Sequence, residues 1–129
     1  MTMSQAPSDR TAGLPPRYPF QAEWETTPHE VRALQQRGED FLLLDCRTSE
    51  EFATARIEGA HLCPMQEIPA NVQELAEHAD RKIVVHCHHG ARSLKVAAYL
   101  REQGFEDVTS MAGGIDLWST DIDSSVPRY

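Results

Sequence analysis

Ile83-Val84-Val85-His86-Cys87-His88-His89-Gly90-Ala91-Arg92-Ser93 is the stretch on which the fold turns. Its first part is an unbroken apolar run. Runs without polar alternation suit strands buried on both faces, as in a parallel sheet covered by helices. Cys87 to Arg92 then reads as a tight loop centred on Gly90, and Ser93 as the start of a helix. Leu94, Val96, Ala97, Ala98, Leu100 and Arg101 carry that helix to a stop at Gly104.

The flanking sequence repeats the same grammar. Phe41-Leu42-Leu43-Leu44 is a second buried-strand run. Before it, Thr27-Pro28-His29-Glu30 offers a capping residue, a proline at the first helical position and a glutamate three residues after the cap. That predicts a helix from about Pro28 to Arg37, stopped by Gly38. Glu23 to Thr26 is a candidate short strand. Thr48-Ser49-Glu50-Glu51 is a second capping box, opening a short helix through Phe52 and Ala55. Ala60 to Cys63 predicts a strand ended by Pro64, and Val72, Leu75 and Ala76 fall at helical spacing. Asp107 to Met111 reads as the last strand, and Gly113-Gly114 leads into a short helix with Leu117 and Trp118. Strands alternating with helices predict an α/β fold: an open parallel sheet of about five strands flanked by helices on both faces. Residues 1–20 contain Pro7, Pro15, Pro16 and Pro19 and no apolar period. They read as a flexible N-terminal arm, with one domain over 21–129.

The bulk properties narrow the function classes. The 129 residues carry a net charge of −8, with 40% hydrophobic and 25% charged residues. A diffuse acidic balance argues against nucleic acid as a partner, because phosphates demand basic patches. No apolar run approaches the roughly 20 residues of a membrane span, and the first ten residues lack the apolar stretch of a secretion signal. A cytoplasmic location with no membrane partner is expected. Cys46, Cys63 and Cys87 are an odd number of cysteines with no CxxC pair. In a reducing compartment they should be free thiols.

In open parallel sheets, ligands bind beyond the carboxyl ends of the strands. Two segments end there with reactive residue types, Leu44-Asp45-Cys46-Arg47 and Val85-His86-Cys87-His88. Three effects converge on Cys87. A helix N-terminus presents unpaired N–H groups and the positive end of a dipole. A loop around a glycine can gather successive N–H groups into an anion-binding nest. Arg92 adds a permanent positive charge able to grip an oxyanion with two parallel hydrogen bonds. Each favours thiolate over thiol. Cys63, beside Pro64, is most simply a small buried residue; Cys46 leaves the first buried strand toward the same end of the sheet, and neither is assigned a functional role, since free cysteine is among the most buried residue types.

Cys87 to Ser93 resembles the active-site loop of the rhodanese family, in which a cysteine starts a six-residue loop that closes into a helix. Leu44-Asp45-Cys46-Arg47 with Glu50-Glu51-Phe52 is similar to the family's aspartate-x-arginine segment and following helix. Ile57-Glu58-Gly59-Ala60 with Pro64 resembles its next turn and strand. Gly113-Gly114-Ile115-Asp116-Leu117-Trp118 resembles its glycine pair and tryptophan. The likeness spans about residues 23 to 120. Arg56 and Glu58 stand where family members often have histidine and proline, and the paired histidines of the loop occur in only part of the family.

The resemblance implies a rhodanese-like sheet and a thiosulfate sulfurtransferase-like activity. Cys87 would be the catalytic nucleophile, accepting a sulfane sulfur from thiosulfate or a persulfide donor and passing it to a thiol or cyanide. His88, His89, Gly90, Ala91, Arg92 and Ser93 would bind the substrate, with the amides of residues 88 to 92 holding the persulfide anion and Ser93 capping the helix. Asp45 and Arg47 would support the loop. No cofactor and no metal is expected. The string His86-Cys87-His88-His89 invites a metal reading, but alternate strand residues diverge to opposite faces, which sets His86 apart from Cys87. A carrier serving a dedicated protein acceptor is an alternative. A cysteine-dependent phosphatase or arsenate reductase is another, although such loops hold five residues between cysteine and arginine and this one holds four.

Overall fold

A computed structural model describes residues 13–129. The N-terminal arm expected over 1–20 therefore lies outside the described residues as far as residue 12. Five strands form one sheet: β1 (Glu25–Thr26), β2 (Phe41–Asp45), β3 (His61–Leu62), β4 (Lys82–His86) and β5 (Val108–Met111). All neighbours are parallel and the order is β1-β5-β4-β2-β3. The helices between them are α1 (Pro28–Gln36), α2 (Ser49–Thr54), α3 (Ile68–Leu75), α4 (Ala91–Glu102) and α5 (Gly114–Leu117). The chain continues from α5 into a π-helical turn, Trp118–Ile122.

The expected α/β sheet is the observed one, and its two-faced burial explains the apolar runs. Leu44, Ile83 and Val85 pack with Ile68, Leu75, Val96, Ala97 and Leu100 from α3 and α4. Leu43 and Val84, one residue out of step, pack on the opposite face with Val31 and Leu34 of α1, Ile115 and Trp118. Alternate residues of a strand point to opposite faces, so both parities must be apolar when both faces are covered. Full burial of each such side chain contributes about 1.5 to 3 kcal/mol.

The capping signals act as the sequence implies. Thr27 accepts the Glu30 N–H at 3.2 Å with Pro28 at the start of α1, and Thr48 and Glu51 close a complete capping box at α2. Other boundaries move. β3 keeps only His61–Leu62 of the expected Ala60 to Cys63, and Cys63 is buried just beyond it. Helix α4 begins at Ala91 rather than Ser93, because Gly90, at φ +114°, turns the chain directly into the helix. Ser93 consequently sits buried in the first turn and does not cap it.

From β2 the chain moves outward to β3, crosses back to β4, and then moves the other way to β5. The direction of winding therefore reverses between β2 and β4. Such a switch point opens a crevice at the carboxyl ends of the strands. The described residues form no helix long and apolar enough to cross a membrane.

Candidate active site

At that switch point β2 and β4 run in register from Phe41↔Lys82 to Asp45↔His86. The next residue on each strand is a cysteine, and the Cys46 N–H donates to the His86 carbonyl at 3.1 Å. Cys46 shares strand parity with Leu44, and Cys87 with Ile83 and Val85, so both thiols lie on the α3/α4 face. Asp45 and His86 take the other parity. Their side chains meet there, His86 Nε2 lying 3.6 Å from Asp45 Oδ2. His86 thus points away from Cys87. Burial pushes its imidazole below the ordinary range, which keeps the ring neutral at pH 7.

The loop after β4 surrounds the Cys87 sulfur with donors. The Gly90 N–H reaches it at 3.2 Å and the Ser93 N–H at 3.3 Å, with the Ser93 hydroxyl 3.4 Å away. Of the amides expected over residues 88 to 92, that of Gly90 does reach the sulfur. Cys46 adds a thiol hydrogen bond from the neighbouring strand. Together these bring the Cys87 thiol down to about 4: the Cys46 bond is the largest cause, burial opposes it, and the Ser93 and Gly90 bonds reinforce it. Cys46 moves the other way, its proton held by the hydrogen bond to Cys87 and by burial.

The loop is fixed from behind. Ile115 N–H donates to the Cys87 carbonyl at 2.9 Å and Asp116 N–H to the His88 carbonyl at 3.1 Å. A Cβ on Gly114 would overlap those two carbonyl groups, and its φ of +59° is a conformation that L side chains rarely adopt. Ser110 of β5 sits 2.7 Å from the Ser93 hydroxyl and anchors it. Tyr18 lies under Gly90, where its hydroxyl accepts the Gly113 N–H at 2.9 Å.

Asp45 and Arg47 are joined in a fully buried two-pronged ion pair, Nε to Oδ1 at 2.9 Å and Nη2 to Oδ2 at 2.7 Å. Arg47 also donates to the Ala55 carbonyl at 2.6 Å, which ties the end of α2 to the end of β2. That tie positions Glu51. Arg92, expected to face an anionic donor, spends both fork nitrogens on the Glu51 carboxylate, at 2.8 and 3.0 Å. The Arg92 guanidinium holds Glu51 well below the usual carboxylate range. Ala91 forms the exposed first position of α4.

The C-terminal residues close the rim. Tyr129 donates to Glu51 Oε2 at 2.7 Å, accepts from Arg47 Nη1 at 2.9 Å, and stacks on His88 with centroids 4.0 Å apart. Burial pushes its hydroxyl up to about 12. His88 is likewise shifted down by burial, which weakens any role as a positive charge at neutral pH. His88, His89 and Asp116 bring potential metal-ligating atoms within 4.8 Å of one another, a different set from the string His86 to His89. Arg128 already binds both Asp116 oxygens, at 3.0 and 3.2 Å.

Sequence reasoning did not single out Tyr18, Glu51, Ser110, Gly114 or Tyr129 as parts of this site. Glu51 had a local signal, its place in the capping box. Ser110, Tyr18 and Tyr129 had none, because their contacts span 17, 95 and 78 residues. A small cleft of about 110 Å³, lined by Cys46, Arg47, Thr48, Pro64, Met65, Gln66 and Arg92, adjoins the loop. The larger cleft of about 480 Å³ lies by α1, between Glu30, Arg37 and Lys82, and contains no thiol.

The model of the rhodanese-like domain family matches residues 27–121. A sulfurtransferase of Allochromatium vinosum is 42% identical over 93 residues, covering 70% of this chain and 85% of that one. The thiosulfate sulfurtransferase GlpE of Haemophilus influenzae is 39% identical over 94 residues, covering 73% and 86%. A rhodanese-like domain protein from Staphylococcus aureus superposes with a TM-score of 0.70 at 28% identity, over 82% of this chain and 98% of that one.

Proposed function

The chain belongs to the rhodanese-like family and is a sulfurtransferase of that kind, and from this premise we propose that it transfers sulfur through a persulfide on Cys87. The donor is a sulfane sulfur compound such as thiosulfate, the substrate named in the GlpE relatives. The acceptor is a thiol or cyanide.

The cycle has two displacements. The Cys87 thiolate attacks the outer sulfur of the donor, the donor's S–S bond breaks, and sulfite leaves with the electron pair. The acceptor nucleophile then attacks the terminal sulfur of the persulfide, and Cys87 recovers its thiolate. Gly90 and Ser93 donate N–H groups to the Cys87 sulfur and hold its negative charge in the resting thiolate, to which the second displacement returns it. Arg92 steers the anionic donor and the departing sulfite, with Glu51 setting how much of its charge is free. Asp45 and Arg47 act at one remove, by fixing α2 and hence Glu51.

The observation that carries this reading is the Cys87 sulfur at the N-terminus of α4 with the Gly90 and Ser93 N–H groups donating to it, a setting that makes it anionic at neutral pH. The test is thiosulfate-to-cyanide transfer, followed as thiocyanate, with intact-mass analysis of the thiosulfate-treated protein and of Cys87→Ser. Turnover with the gain of one sulfur atom, both lost in Cys87→Ser, is the expected result. Turnover that survives in Cys87→Ser would overturn it. Sulfur gain without turnover would assign the protein as a carrier for a dedicated protein acceptor.

A further inference from the structure

Cys46 is a second thiol at the site, and no covalent step of sulfur transfer passes through it. Its place is unusual for an inert core cysteine. It extends the β2/β4 register by one residue beyond Asp45↔His86, on the same face as Cys87. Adjacent strands lie about 4.8 Å apart. Disulfide-bonded residues have Cα atoms roughly 4.4 to 6.8 Å apart, a range that includes the spacing of paired strands. Both side chains lie in the same buried cluster on that face, and the Cys46 N–H donates to the carbonyl of His86, the residue before Cys87, at 3.1 Å. Cys46 also lines the small cleft beside Arg92. Cys63 belongs to the same cluster but leaves from the edge strand β3.

We infer that Cys46 is a resolving thiol for Cys87, and that hydroperoxides are a second class of substrate at this site, reduced with formation of a Cys46–Cys87 disulfide. The Cys87 thiolate attacks the outer peroxide oxygen and the O–O bond breaks. The released alkoxide or hydroxide takes a proton to leave as an alcohol or water, and Cys87 becomes a sulfenic acid. Cys46 then attacks the Cys87 sulfur, the S–O bond breaks, and the departing hydroxide takes the Cys46 proton to leave as water. Two thiols are oxidised and one peroxide is reduced. An external thiol pair, the class of compound that already serves as sulfur acceptor, returns the two electrons. The thiol proton of Cys46 is retained while Cys87 is a thiolate. Oxidation of Cys87 removes that negative neighbour and frees Cys46 to react. The consequence is protection, since a sulfenic acid trapped as a disulfide is not driven on to the irreversible sulfinic acid.

Peroxide reduction of this kind needs the Cys87 thiolate and the Cys46 thiol but no sulfur donor, and it goes beyond sulfur transfer. The purified full chain is treated with a small excess of hydrogen peroxide in the absence of any sulfur donor. Remaining thiols are then blocked by alkylation, and the protein is mapped by mass under non-reducing conditions. The native protein is expected to lose two hydrogen atoms through a Cys46–Cys87 bridge, with Cys63 alkylated. A dithiol is expected to restore both its transfer activity and the alkylation of Cys87. In Cys46→Ala, and in Cys46→Val should the smaller residue impair folding, Cys87 proceeds to the sulfinic acid. A dithiol then restores less than a tenth of that variant's own starting activity. Sulfinic acid at Cys87 of the native protein to the same extent as in the variants would overturn the inference. So would a bridge that involves Cys63, or one that persists in a Cys46 variant. A donor-treated sample run in parallel scores persulfide formation separately, so that loss of one chemistry is not read as loss of the other.

Discussion

The ends of β2 and β4 are built alike and behave oppositely. Each is a buried hydrophobic strand that terminates in a polar residue and then a cysteine, Asp45-Cys46 beside His86-Cys87, in register and on the same two faces. Both cysteines are 1% exposed. Yet the thiol of Cys87 is brought down to about 4 while that of Cys46 is pushed up. Burial is common to both and raises both. The largest cause of the difference is the bond between the two thiols, which leaves the proton on Cys46, and the turn after each cysteine adds to it. After Cys87 the chain curls at Gly90 into a twelve-residue helix whose first amides point back at the sulfur. After Cys46 it runs through the buried Arg47 into the Thr48 cap of α2, and Thr48 and Glu51 absorb the free amides at that helix start. A reactive cysteine is made by its downstream turn more than by its depth in the protein.

The most damaging way to break this contrast is to disturb the loop after β4 from behind. Gly114→Ala pushes a methyl into the Cys87 and His88 carbonyl groups. It is expected to lower kcat/KM for thiosulfate about 100-fold, since displacements of about 1 Å at a reacting group cost that much. Comparison of the rate with thermal unfolding separates loop distortion from loss of fold. Near-normal transfer in a folded Gly114→Ala protein would show that the loop is not held by this contact.

The Arg92–Glu51 pair joins the two ends, one partner coming from each following helix. Arg92→Ala is expected to raise KM for thiosulfate about tenfold, by the loss of a charge-assisted contact. Glu51→Gln keeps the capping-box acceptor and frees Arg92, so KM should fall by a few-fold at low salt and less at high salt, as the charge is screened. Steady-state kinetics at two ionic strengths check both signs. A higher KM in Glu51→Gln would mean that Glu51 holds Arg92 in its working position.

Cys46→Val sharpens the comparison by deleting the contact between the two thiols. Hydrogen bonding to the thiolate lowers the thiol pKa, so removing the donor raises it. The acid limb of Cys87 alkylation by iodoacetamide, near pH 4 in the native protein, should therefore move upward. Thiolate is present above that limb and lost below it. Valine adds volume at a packed core position, so the swap should cost about 1 to 3 kcal/mol of stability, read by denaturant unfolding. An unmoved limb would assign the low pKa of Cys87 to the α4 amides and Ser93 alone.

The smallest effect is expected at the rim. Tyr129→Phe keeps the stacking on His88 but loses the hydroxyl bonds to Glu51 and Arg47, at a cost of about 1 kcal/mol in thermal or denaturant stability. No measurable change would place Tyr129 outside the network that links Arg47 to Glu51.

Much of this molecule was legible in its sequence for local reasons. Unbroken apolar runs at 41–44 and 83–85 report burial on both faces, and the Thr27 and Thr48 caps report helix starts through bonds that span three residues. The strand–cysteine–glycine–helix order placed Cys87 where a helix N-terminus would meet it. The start of α4 was missed by two residues because Gly90 takes a positive φ that the sequence permits but does not require. Arg92 was legible as a charge near the cysteine but not as a partner of Glu51, which lies 41 residues away.

The sequence by itself determined the parallel sheet, the helix caps and the loop that holds Cys87, because periodicity, capping and turn chemistry act over a few neighbouring residues. Only the tertiary structure decided that Cys46 faces Cys87, that Glu51 occupies the fork of Arg92, and that Tyr18, Ser110, Gly114 and Tyr129 close around the loop. Those contacts follow from the strand order β1-β5-β4-β2-β3 and the register of β2 on β4. Both arise when the whole hydrophobic core is buried at once, and no short stretch of chain contains the information that selects them.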